Sequence, residues 1–432
     1  MVKKLELCFV SLVIMLSGVK ADTDGPWQLE KWSGYSGEIV LNELTGSSMF
    51  YWLFECLNGN ITTDSKPLII WLQGGPGCSG ETGMLFENIG PFYINENMMP
   101  VANNYTWTEK FHVMTIDYPY GSGYSFAGSF SDYRNTTQGS SDYLYYFLQK
   151  LAKKYPSWTA RDWFIFGESY AGHWIPGIAH KILMENQASN VTGRVKLPLK
   201  GVALGDPLVN AYVQSQYYAE YAFNTGLINS DEKGIIEEIQ TQVISLLNAG
   251  RLAEAEPVME RTFNLISEYA GGINVLNMRV YKKNYDLGKF PEWLNLESTK
   301  EMLHVPKNVN WVECNQDVYK AFYADIMTSM SPLFPYILDN IKVMFYNGQD
   351  DLIVNSVGTR ETIADIDWKH TEHFLNSIRK IWKFDNEIAG YTMDYNNLRF
   401  VLVLKSGHMV PHDQPVHARD MVTRFIEDRP WD

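Results

Sequence analysis

Short apolar runs alternate with amphipathic stretches along most of the chain, which indicates strands and helices in turn. Strands are predicted at Met49–Phe54, Pro67–Leu72, Phe111–Ile116, Trp163–Phe166, Leu199–Leu204, Lys342–Tyr346 and Arg399–Leu404. The spacing of apolar residues predicts helices at 139–154, 170–185 and 414–427. Strands that alternate with helices form parallel sheets covered on both faces. The pattern therefore predicts an α/β fold with a mostly parallel central sheet.

Residues 209–305 interrupt this alternation. Strand signals are absent there, and Glu, Ile, Leu and Ala recur at helical spacing over 230–269. We interpret the segment as a helical cap insertion over one edge of the sheet. The predicted organisation is a signal peptide at 1–21, the first part of the core at 22–208, the cap at 209–305 and the second part of the core at 306–432.

The first 21 residues have the composition of a secretory signal peptide. Lys3 and Lys4 form a basic start, the run Leu7–Leu16 is apolar except for Ser11, and Val19-Lys20-Ala21 fits a cleavage site. No later run approaches the roughly 18 apolar residues that a membrane-spanning helix needs. We therefore predict that the mature chain enters the secretory pathway without a membrane span, toward a lysosome, a vacuole or the cell exterior.

In the secretory pathway, cysteines can form disulfides and Asn-x-Thr triplets can be glycosylated, and the chain contains both features. The triplets predict glycosylation at Asn60, Asn104, Asn135 and Asn190. Once the signal peptide leaves with Cys8, three cysteines remain, at positions 56, 78 and 314. An odd number allows at most one intrachain disulfide and one free thiol, and the residues alone do not choose the pair.

Size and charge narrow the function classes. The chain has 432 residues, 45% of them hydrophobic, and a formal net charge of −14. Its length suits one large α/β domain with an insertion or two domains, and its apolar content allows a sizeable core. The negative charge argues against nucleic acid and anionic membrane as partners, because phosphate groups are bound by clustered Lys and Arg. The sequence does not decide whether two chains form a homodimer.

Ser169 carries the strongest chemical signal, within the segment Gly-Glu-Ser-Tyr-Ala-Gly at 167–172. It follows an apolar run and precedes a predicted helix, which is the arrangement of a nucleophile elbow. Small neighbours allow the backbone to turn sharply at this point. The strict G-x-S-x-G pattern has glycine where this chain has Ala171, which is a minor departure.

Two later predicted strands are each followed by residues that could serve as the acid and the base of a serine hydrolase. Asp350 and Asp351 follow one predicted strand, and His408 follows the last one. Open α/β sheets place their sites at the carboxyl ends of strands. The order Ser169, Asp351, His408 is that of the α/β-hydrolases. His408 would accept the serine proton, and Asp351 would hold the imidazole in the required tautomer.

The sequence leaves alternatives for both of these roles. Asp350 is adjacent to Asp351, and only the geometry of the loop separates the two as the acid. His412 or His417 could replace His408, although His408 lies nearest the end of its strand. These alternatives therefore stay open at the level of sequence.

The chain also supplies backbone donors for an oxyanion hole. A turn of four residues, Gly-Gly-Pro-Gly at 74–77, follows a predicted strand. We expect the N–H groups of Gly75 and of Tyr170 to point at the developing negative charge.

His370 and His373 lie three residues apart, but the sequence shows no evident set of partner ligands that would complete a metal site with them. We therefore predict no metal and no cofactor.

Four segments together resemble the signature blocks of the serine carboxypeptidases. They are WLQGGPGCS at 71–79, DYPYGSGYS at 117–125, GESYAGH at 167–173 and GHMVP at 407–411. The resemblance runs from about residue 30 to the C-terminus. It implies an α/β-hydrolase fold with a helical cap and exopeptidase action at a free peptide C-terminus. Gln73 and residues 346–354 look most like the animal retinoid-inducible branch.

The resemblance also implies roles for individual residues. It places the triad on Ser169, Asp351 and His408, the oxyanion hole on Gly75 and Tyr170, and recognition of the substrate carboxylate on Trp71, Gln73, Gly74, Glu87 and Glu168. It further implies a disulfide between Cys78 and Cys314, which leaves Cys56 free. Gln73 stands where most relatives have Asn, so it keeps the amide donor but adds one methylene.

Two glutamates can bind a carboxylate only if they carry protons. If Glu87 and Glu168 are adjacent, they must share protons, and at least one pKa must be raised. In the protonated form they donate hydrogen bonds to the carboxylate of the peptide. We therefore expect peptides to bind more tightly at acidic pH.

The function that the sequence predicts is that of a serine-type carboxypeptidase acting through an acyl-enzyme on Ser169. Two alternatives remain: an esterase or acyltransferase that uses the same acyl-enzyme, and a protective or binding protein without catalysis. A substrate without a free carboxylate would leave Glu87 and Glu168 unused. The presence of a serine, an aspartate and a histidine that could form a triad argues against the non-catalytic alternative.

Overall fold

The computed structural model describes residues 21–188 and 193–431 of the chain. Its strands are β1 (Gly25–Leu29), β2 (Trp32–Asn42), β3 (Ser47–Phe54), β4 (Leu68–Leu72), β5 (Phe92–Ile94), β6 (Pro100–Ala102), β7 (His112–Ile116), β8 (Trp163–Glu168), β9 (Leu199–Gly205), β10 (Ile273–Asn274), β11 (Asn277–Tyr281), β12 (Lys342–Gly348), β13 (Lys380–Phe384), β14 (Glu387–Tyr395) and β15 (Leu398–Val403). The predicted signal peptide, apart from Ala21, and the predicted glycosylation site at Asn190 lie outside the described residues.

The α-helices surround the main sheet or belong to the segment that interrupts it. They are α1 (Glu81–Leu85), α2 (Thr137–Lys154), α3 (Ala171–Gln187), α4 (Ala211–Gln214), α5 (Tyr218–Asn224), α6 (Ser230–Asn248), α7 (Leu252–Tyr269), α8 (Phe290–Leu294), α9 (Glu297–Met302), α10 (Gln316–Ala321), α11 (Tyr323–Ile326), α12 (Phe334–Asn340), α13 (Ser356–Ala364), α14 (Thr371–Leu375), α15 (Val410–Asp413) and α16 (Pro415–Glu427). No helix in the described ranges combines the length and the apolar character that a bilayer crossing requires.

An eleven-stranded sheet with the order β1-β2-β3-β7-β4-β8-β9-β12-β15-β14-β13 forms the centre of the molecule. The six strands from β7 to β15 pair in parallel, and antiparallel strands extend the sheet on both sides. Carboxyl ends of neighbouring parallel strands meet at one edge of a sheet, which is where ligands bind in such folds. The predicted fold class is confirmed.

Helices cover both faces of this sheet, and successive residues of β8 show why. Trp163 and Ile165 belong to one buried apolar cluster, whereas Phe164 and Phe166 belong to the cluster on the opposite face. Side chains alternate between the faces of a strand, so a strand buried on both sides reads as a continuous apolar run. Phe425 of α16 covers one face, where its ring lies 5.9 Å from that of Phe166.

The segment 209–305 contains six helices, α4 to α9, of which α6 and α7 lie in the part with helical spacing of apolar residues. The expectation that it holds no strands is wrong, because β10 and β11 form a short antiparallel hairpin within it. Strands of two and five residues are too short to show a clear alternation of apolar and polar residues. This hairpin lies against the loops that carry the candidate acid and base.

Candidate active site

Ser169 lies in a sharp turn between β8, which ends at Glu168, and α3, which begins at Ala171. Its φ angle is 61°, a left-handed conformation that is uncommon for residues other than glycine. The serine backbone is held in place: its N–H donates to the Gly205 carbonyl at 2.9 Å, and its own carbonyl accepts from the Leu208 N–H at 3.0 Å. These features match the strand–turn–helix geometry of a nucleophile elbow.

The first turn of α3 approaches the neighbouring chain closely at Gly172. A Cβ atom at this position would lie 2.3 Å from the carbonyl oxygen of Leu208. Only glycine allows this approach, because it has no Cβ. The glycine therefore lets α3 begin immediately after the serine.

His408 and Asp351 form a hydrogen-bonded pair at the carboxyl edge of the sheet. His408 Nδ1 lies 2.7 Å from Asp351 Oδ2, and both side chains are buried. Because a carboxylate oxygen accepts, Nδ1 carries the proton and donates, which leaves Nε2 free to accept a proton from a serine. Asp351 Oδ1 accepts a second hydrogen bond, from the Val354 N–H at 3.2 Å.

The residues that the sequence left as alternatives lie in other environments. Asp350 faces Arg279, whose Nη1 lies 3.3 Å from Asp350 Oδ2, and burial raises the pKa of this aspartate. The ring of His412 stacks on Phe86 at 4.1 Å and donates from Nδ1 to the Phe86 carbonyl. His417 packs edge-on against the ring of Trp382. The structure thus joins Asp351 and His408, and it gives the three alternatives different partners.

The hairpin of β10 and β11 holds the acid loop and the base loop together. Its turn accepts three backbone hydrogen bonds: the Val275 carbonyl accepts from Leu352 and Ile353 at 3.1 and 3.2 Å, and the Leu276 carbonyl accepts from His408 at 2.7 Å. Reasoning from sequence missed these contacts. In the sequence, Met278 and Val280 alternate with the polar residues Asn277 and Arg279, so a weak strand signal was present.

Two backbone donors lie beside Ser169, one in the turn after β4 and the other directly after the serine. Gly75 has a φ angle of 103°, and Tyr170 directly follows the serine. Among the hydrogen bonds of residues 21–188 and 193–431, none uses the N–H of Gly75 or of Tyr170. Donors without a partner beside a nucleophile can stabilise an oxyanion.

Gly74 offers a direct test of this arrangement. A Cβ atom at position 74 would lie 2.7 Å from Ser169 Cβ and 2.8 Å from the Tyr170 nitrogen. Gly74→Ala must therefore displace the serine and an oxyanion donor together. We expect kcat for a blocked dipeptide to fall by about 100-fold or more, as when one oxyanion donor is lost.

The matched control for this substitution is Gly234→Ala in α6. No atom lies within 4 Å of a Cβ at that position. Alanine there should leave kcat unchanged and stabilise the helix by up to about 1 kcal/mol. Equal kcat values for the two variants would contradict the role given to the turn at Gly74.

A buried carboxyl pair lies next to the serine and is held by one amide. Gln73 Nε2 donates to Glu168 Oε1 at 2.9 Å and to Glu87 Oε1 at 3.2 Å. Trp71 Nε1 donates to Gln73 Oε1 at 2.7 Å, which fixes the orientation of the amide. The additional methylene of Gln73 therefore does not prevent it from reaching both glutamates.

The environment of this pair favours protonated carboxyl groups. Burial raises the pKa of Glu87 to about 7. Burial, followed by the charge of Glu87 and a hydrogen bond to it, raises the pKa of Glu168 well above its usual value. Two ionised carboxylates cannot remain adjacent away from water, so at least one proton is shared between them.

The serine also opens onto a small apolar cavity of about 60 Å³. Tyr218 of α5 and Met259 and Phe263 of α7 contribute to its wall, together with Tyr319 of α10. Three of these side chains come from the segment 209–305. The helices of this segment therefore shape the space beside the nucleophile.

Comparison with known proteins adds independent information. The family model of the serine carboxypeptidases matches residues 22–428. The chain belongs to the serine carboxypeptidase family. A Dictyostelium discoideum protein named "Probable serine carboxypeptidase CPVL" is 37% identical over 404 residues, which are 92% of this chain and 79% of that protein. "Serine carboxypeptidase-like 49" of Arabidopsis thaliana is 33% identical over 94% of this chain and 79% of its own length.

A solved structure supports the same family assignment. Kex1(Δ)p, a prohormone-processing carboxypeptidase from Saccharomyces cerevisiae, is similar to this serine carboxypeptidase with a TM-score of 0.80. The sequence identity is 26%, and the match covers 91% of each chain. The assignment to the retinoid-inducible branch stays a prediction.

The disulfide between Cys78 and Cys314 is present in this serine carboxypeptidase. It ties the turn that carries Gly75 to the segment before α10, and backbone hydrogen bonds on both sides of it reinforce the link. Cys56 is free and buried, with Lys66 Nζ 3.1 Å from its sulfur. Burial raises the pKa of the Cys56 thiol.

Proposed function

We propose that this serine carboxypeptidase removes C-terminal amino acids from peptides and proteins through an acyl-enzyme on Ser169, and that acidic pH favours the reaction. The observation that carries the proposal is the buried pair of Glu87 and Glu168 beside the nucleophile. Glu168 ends β8 and Ser169 directly follows it, so the pair that Gln73 holds lies at the same end of the strand as the serine. This position suits binding of a terminal carboxylate next to the peptide bond that is cleaved.

The proposed reaction assigns one step to each of these side chains. His408 Nε2 accepts the Ser169 proton as the oxygen attacks the carbonyl carbon, and Asp351 stabilises the imidazolium that forms. The N–H groups of Gly75 and Tyr170 bind the oxyanion. Collapse of the tetrahedral intermediate breaks the C–N bond, and His408 gives its proton to the leaving amine. Water then attacks the acyl-enzyme by the same route and restores the serine.

The surroundings of Ser169 suggest how the two sides of the bond are recognised. Protonated Glu87 and Glu168 donate hydrogen bonds to the carboxylate of the leaving residue, while Gln73, fixed by Trp71, holds the pair in place. On the acyl side, the apolar wall from α5 and α7 suits an apolar side chain. We therefore assign residues 209–305 the role of a cap that shapes this pocket.

The pH dependence of binding tests the role of the carboxyl pair. Glu87 has a pKa of about 7, so the pair holds both protons below this pH and begins to lose one of them as the pH rises through it. The carboxylate of the substrate is ionised above about pH 4. We expect KM for a blocked dipeptide to be lowest between about pH 4 and 7, and to rise up to about tenfold per pH unit above 7.

Two comparisons separate this effect from a general loss of activity. In Glu87→Gln/Glu168→Gln the amides still donate but do not titrate, so KM should no longer rise above pH 7. A dipeptide ester, which lacks the free carboxylate, should show no such rise with the wild-type enzyme. A KM that is independent of pH in the wild type would remove this role from the pair.

The setting of the enzyme in the cell is also a proposal. We propose that the mature protein starts near Asp22 and follows the secretory pathway. The predicted glycosylation sites Asn60, Asn104 and Asn135 are exposed, as enzymatic glycosylation requires. Whether two chains form a homodimer can be measured by light scattering on the purified protein.

A peptide pool tests the function as a whole. Purified enzyme is incubated with defined peptides at acidic pH, and mass spectrometry follows the loss of residues. We expect stepwise shortening from the C-terminus, and no shortening of the same peptides with a C-terminal amide. Internal cleavage would contradict the proposal, and hydrolysis of esters alone would favour the esterase alternative.

A further inference from the structure

Another buried carboxyl group, Asp206, lies beside the acid and base of the site. It directly follows β9, the strand between the serine strand β8 and the acid strand β12, and its side chain is fully buried. One oxygen of Asp206, one oxygen of Asp351 and one ring nitrogen of His408 lie within 4.8 Å of one another. Neither the sequence motifs nor the family resemblance assigns a role to this residue.

The two oxygens of Asp206 have different environments. Oδ1 accepts from the Gly348 N–H at 2.9 Å and from Asn347 Nδ2 at 3.3 Å. Oδ2 is buried and receives no donor from the part of the chain that the structure describes. One carboxyl oxygen of Asp206 lies within 4.8 Å of an oxygen of Asp351. A contact between two carboxyl groups requires a proton, because carboxylate oxygens can only accept.

The charges around the contact decide which carboxyl holds this proton. Asp351 accepts hydrogen bonds from His408 Nδ1 and from the Val354 N–H, so donors already face both of its oxygens. Burial and the neighbouring charge of Asp351 raise the pKa of Asp206 well above its usual value. The other titratable groups that influence or face Asp206 are Glu168, Tyr346, Tyr221 and His408. A negative charge on Glu168 raises the pKa of Asp206 further.

We propose that Asp206 is a positioning residue that donates a hydrogen bond from its protonated carboxyl to Asp351. The bond fixes the carboxylate from behind, so that Asp351 Oδ2 stays aligned with His408 Nδ1. It also keeps a single negative charge on the two aspartates. This proposal rests on the triad of the proposed function and adds a fourth member to its hydrogen-bonded chain.

Two substitutions at Asp206 distinguish the loss of its hydrogen-bond donor from the loss of its ionisable group. In Asp206→Asn the amide nitrogen can donate to Asp351 while the amide oxygen still accepts from the Gly348 N–H. In Asp206→Ala both bonds disappear. The readout is the rate at which a fluorophosphonate labels Ser169, because this reagent has no carboxylate and does not depend on Glu87 and Glu168.

We expect Asp206→Asn to react within a factor of about three of the wild-type rate, because the donor remains. Asp206→Ala should react about 10- to 100-fold more slowly, as when a hydrogen bond to a charged group is lost. The wild-type rate should also fall on the alkaline side of the pKa of Asp206, where Asp206 ionises next to Asp351. That part of the fall should be absent in Asp206→Asn, which does not titrate.

Asp117→Asn is the matched control, because Asp117 is a fully buried carboxyl that pairs with Glu81 instead of Asp351. This variant should keep the alkaline fall. Wild-type labelling in Asp206→Ala, or an unchanged alkaline fall in Asp206→Asn, overturns the proposal. If Asp206→Ala does not fold, the pH profile of Asp206→Asn still decides. Absence of labelling at Ser169 in the wild type would overturn the triad and this proposal together.

Discussion

Replacement of Ser169 by alanine is expected to lower kcat for a blocked dipeptide by about 10⁴-fold or more. The serine oxygen forms the covalent bond in the proposed acyl-enzyme, and no neighbouring hydroxyl shares its position in the turn after β8. KM should change little, because the carboxyl pair and the apolar cavity remain. Single-turnover mass spectrometry should detect an acyl-enzyme in the wild type and none in Ser169→Ala.

The control for Ser169→Ala is Ser230→Ala. Ser230 is an exposed serine in the first turn of α6, in the segment over the site. It should leave kcat within a factor of about two, as is usual for surface substitutions. Turnover by purified Ser169→Ala close to the wild-type rate would contradict the covalent mechanism, and it would direct attention to another nucleophile.

Asp351→Asn is expected to have the second largest effect, a decrease of about 10³- to 10⁴-fold in kcat. An amide nitrogen at the position of Asp351 Oδ2 would donate toward His408 Nδ1. The histidine would then hold its proton on Nε2, and it could not accept a proton from Ser169. KM should stay close to its wild-type value, because the acid does not contact the part of the substrate that provides binding.

The neighbouring aspartate provides a matched control for this prediction. Asp350→Asn removes an ion pair with Arg279, whose side chain is 55% exposed. Ion pairs with an exposed partner contribute little to the stability of a fold. We expect kcat to change by less than about threefold in this variant. The reverse result, a large effect at Asp350 and a small one at Asp351, would show that the acid had been assigned to the wrong residue.

Local signals were sufficient for much of the fold. The apolar runs before the elbow and in the two late strands predict β8, β12 and β15 to within two residues of their observed ends. The antiparallel hairpin of β13 and β14 was not predicted, because its edge residues mix exposed apolar and charged side chains. Edge strands are partly exposed, so their patterns are weaker than those of central strands.

The residues of the candidate site also differ in how clearly local sequence signals pointed to them. Small residues around Ser169 mark a sharp turn in any context, so the candidate nucleophile was visible from the sequence. Glu87 lies in no such pattern, and only the family resemblance pointed to it. Its contact with Gln73 depends on α1 folding back over the end of β4, which is a long-range packing event.

The amino-acid sequence alone determined the parallel α/β architecture and the order of the candidate nucleophile, acid and base, because backbone period and turn chemistry are local properties. Only the tertiary structure shows that Asp351 contacts His408 whereas Asp350 contacts Arg279, because the two aspartates differ by one position in a loop whose conformation is set by its partners. It also decided that the hairpin of β10 and β11 spans the acid and base loops, and that Asp206 faces Asp351. Hydrogen bonds between residues tens or hundreds of positions apart leave no periodic trace in a single chain, so only the folded molecule reveals them.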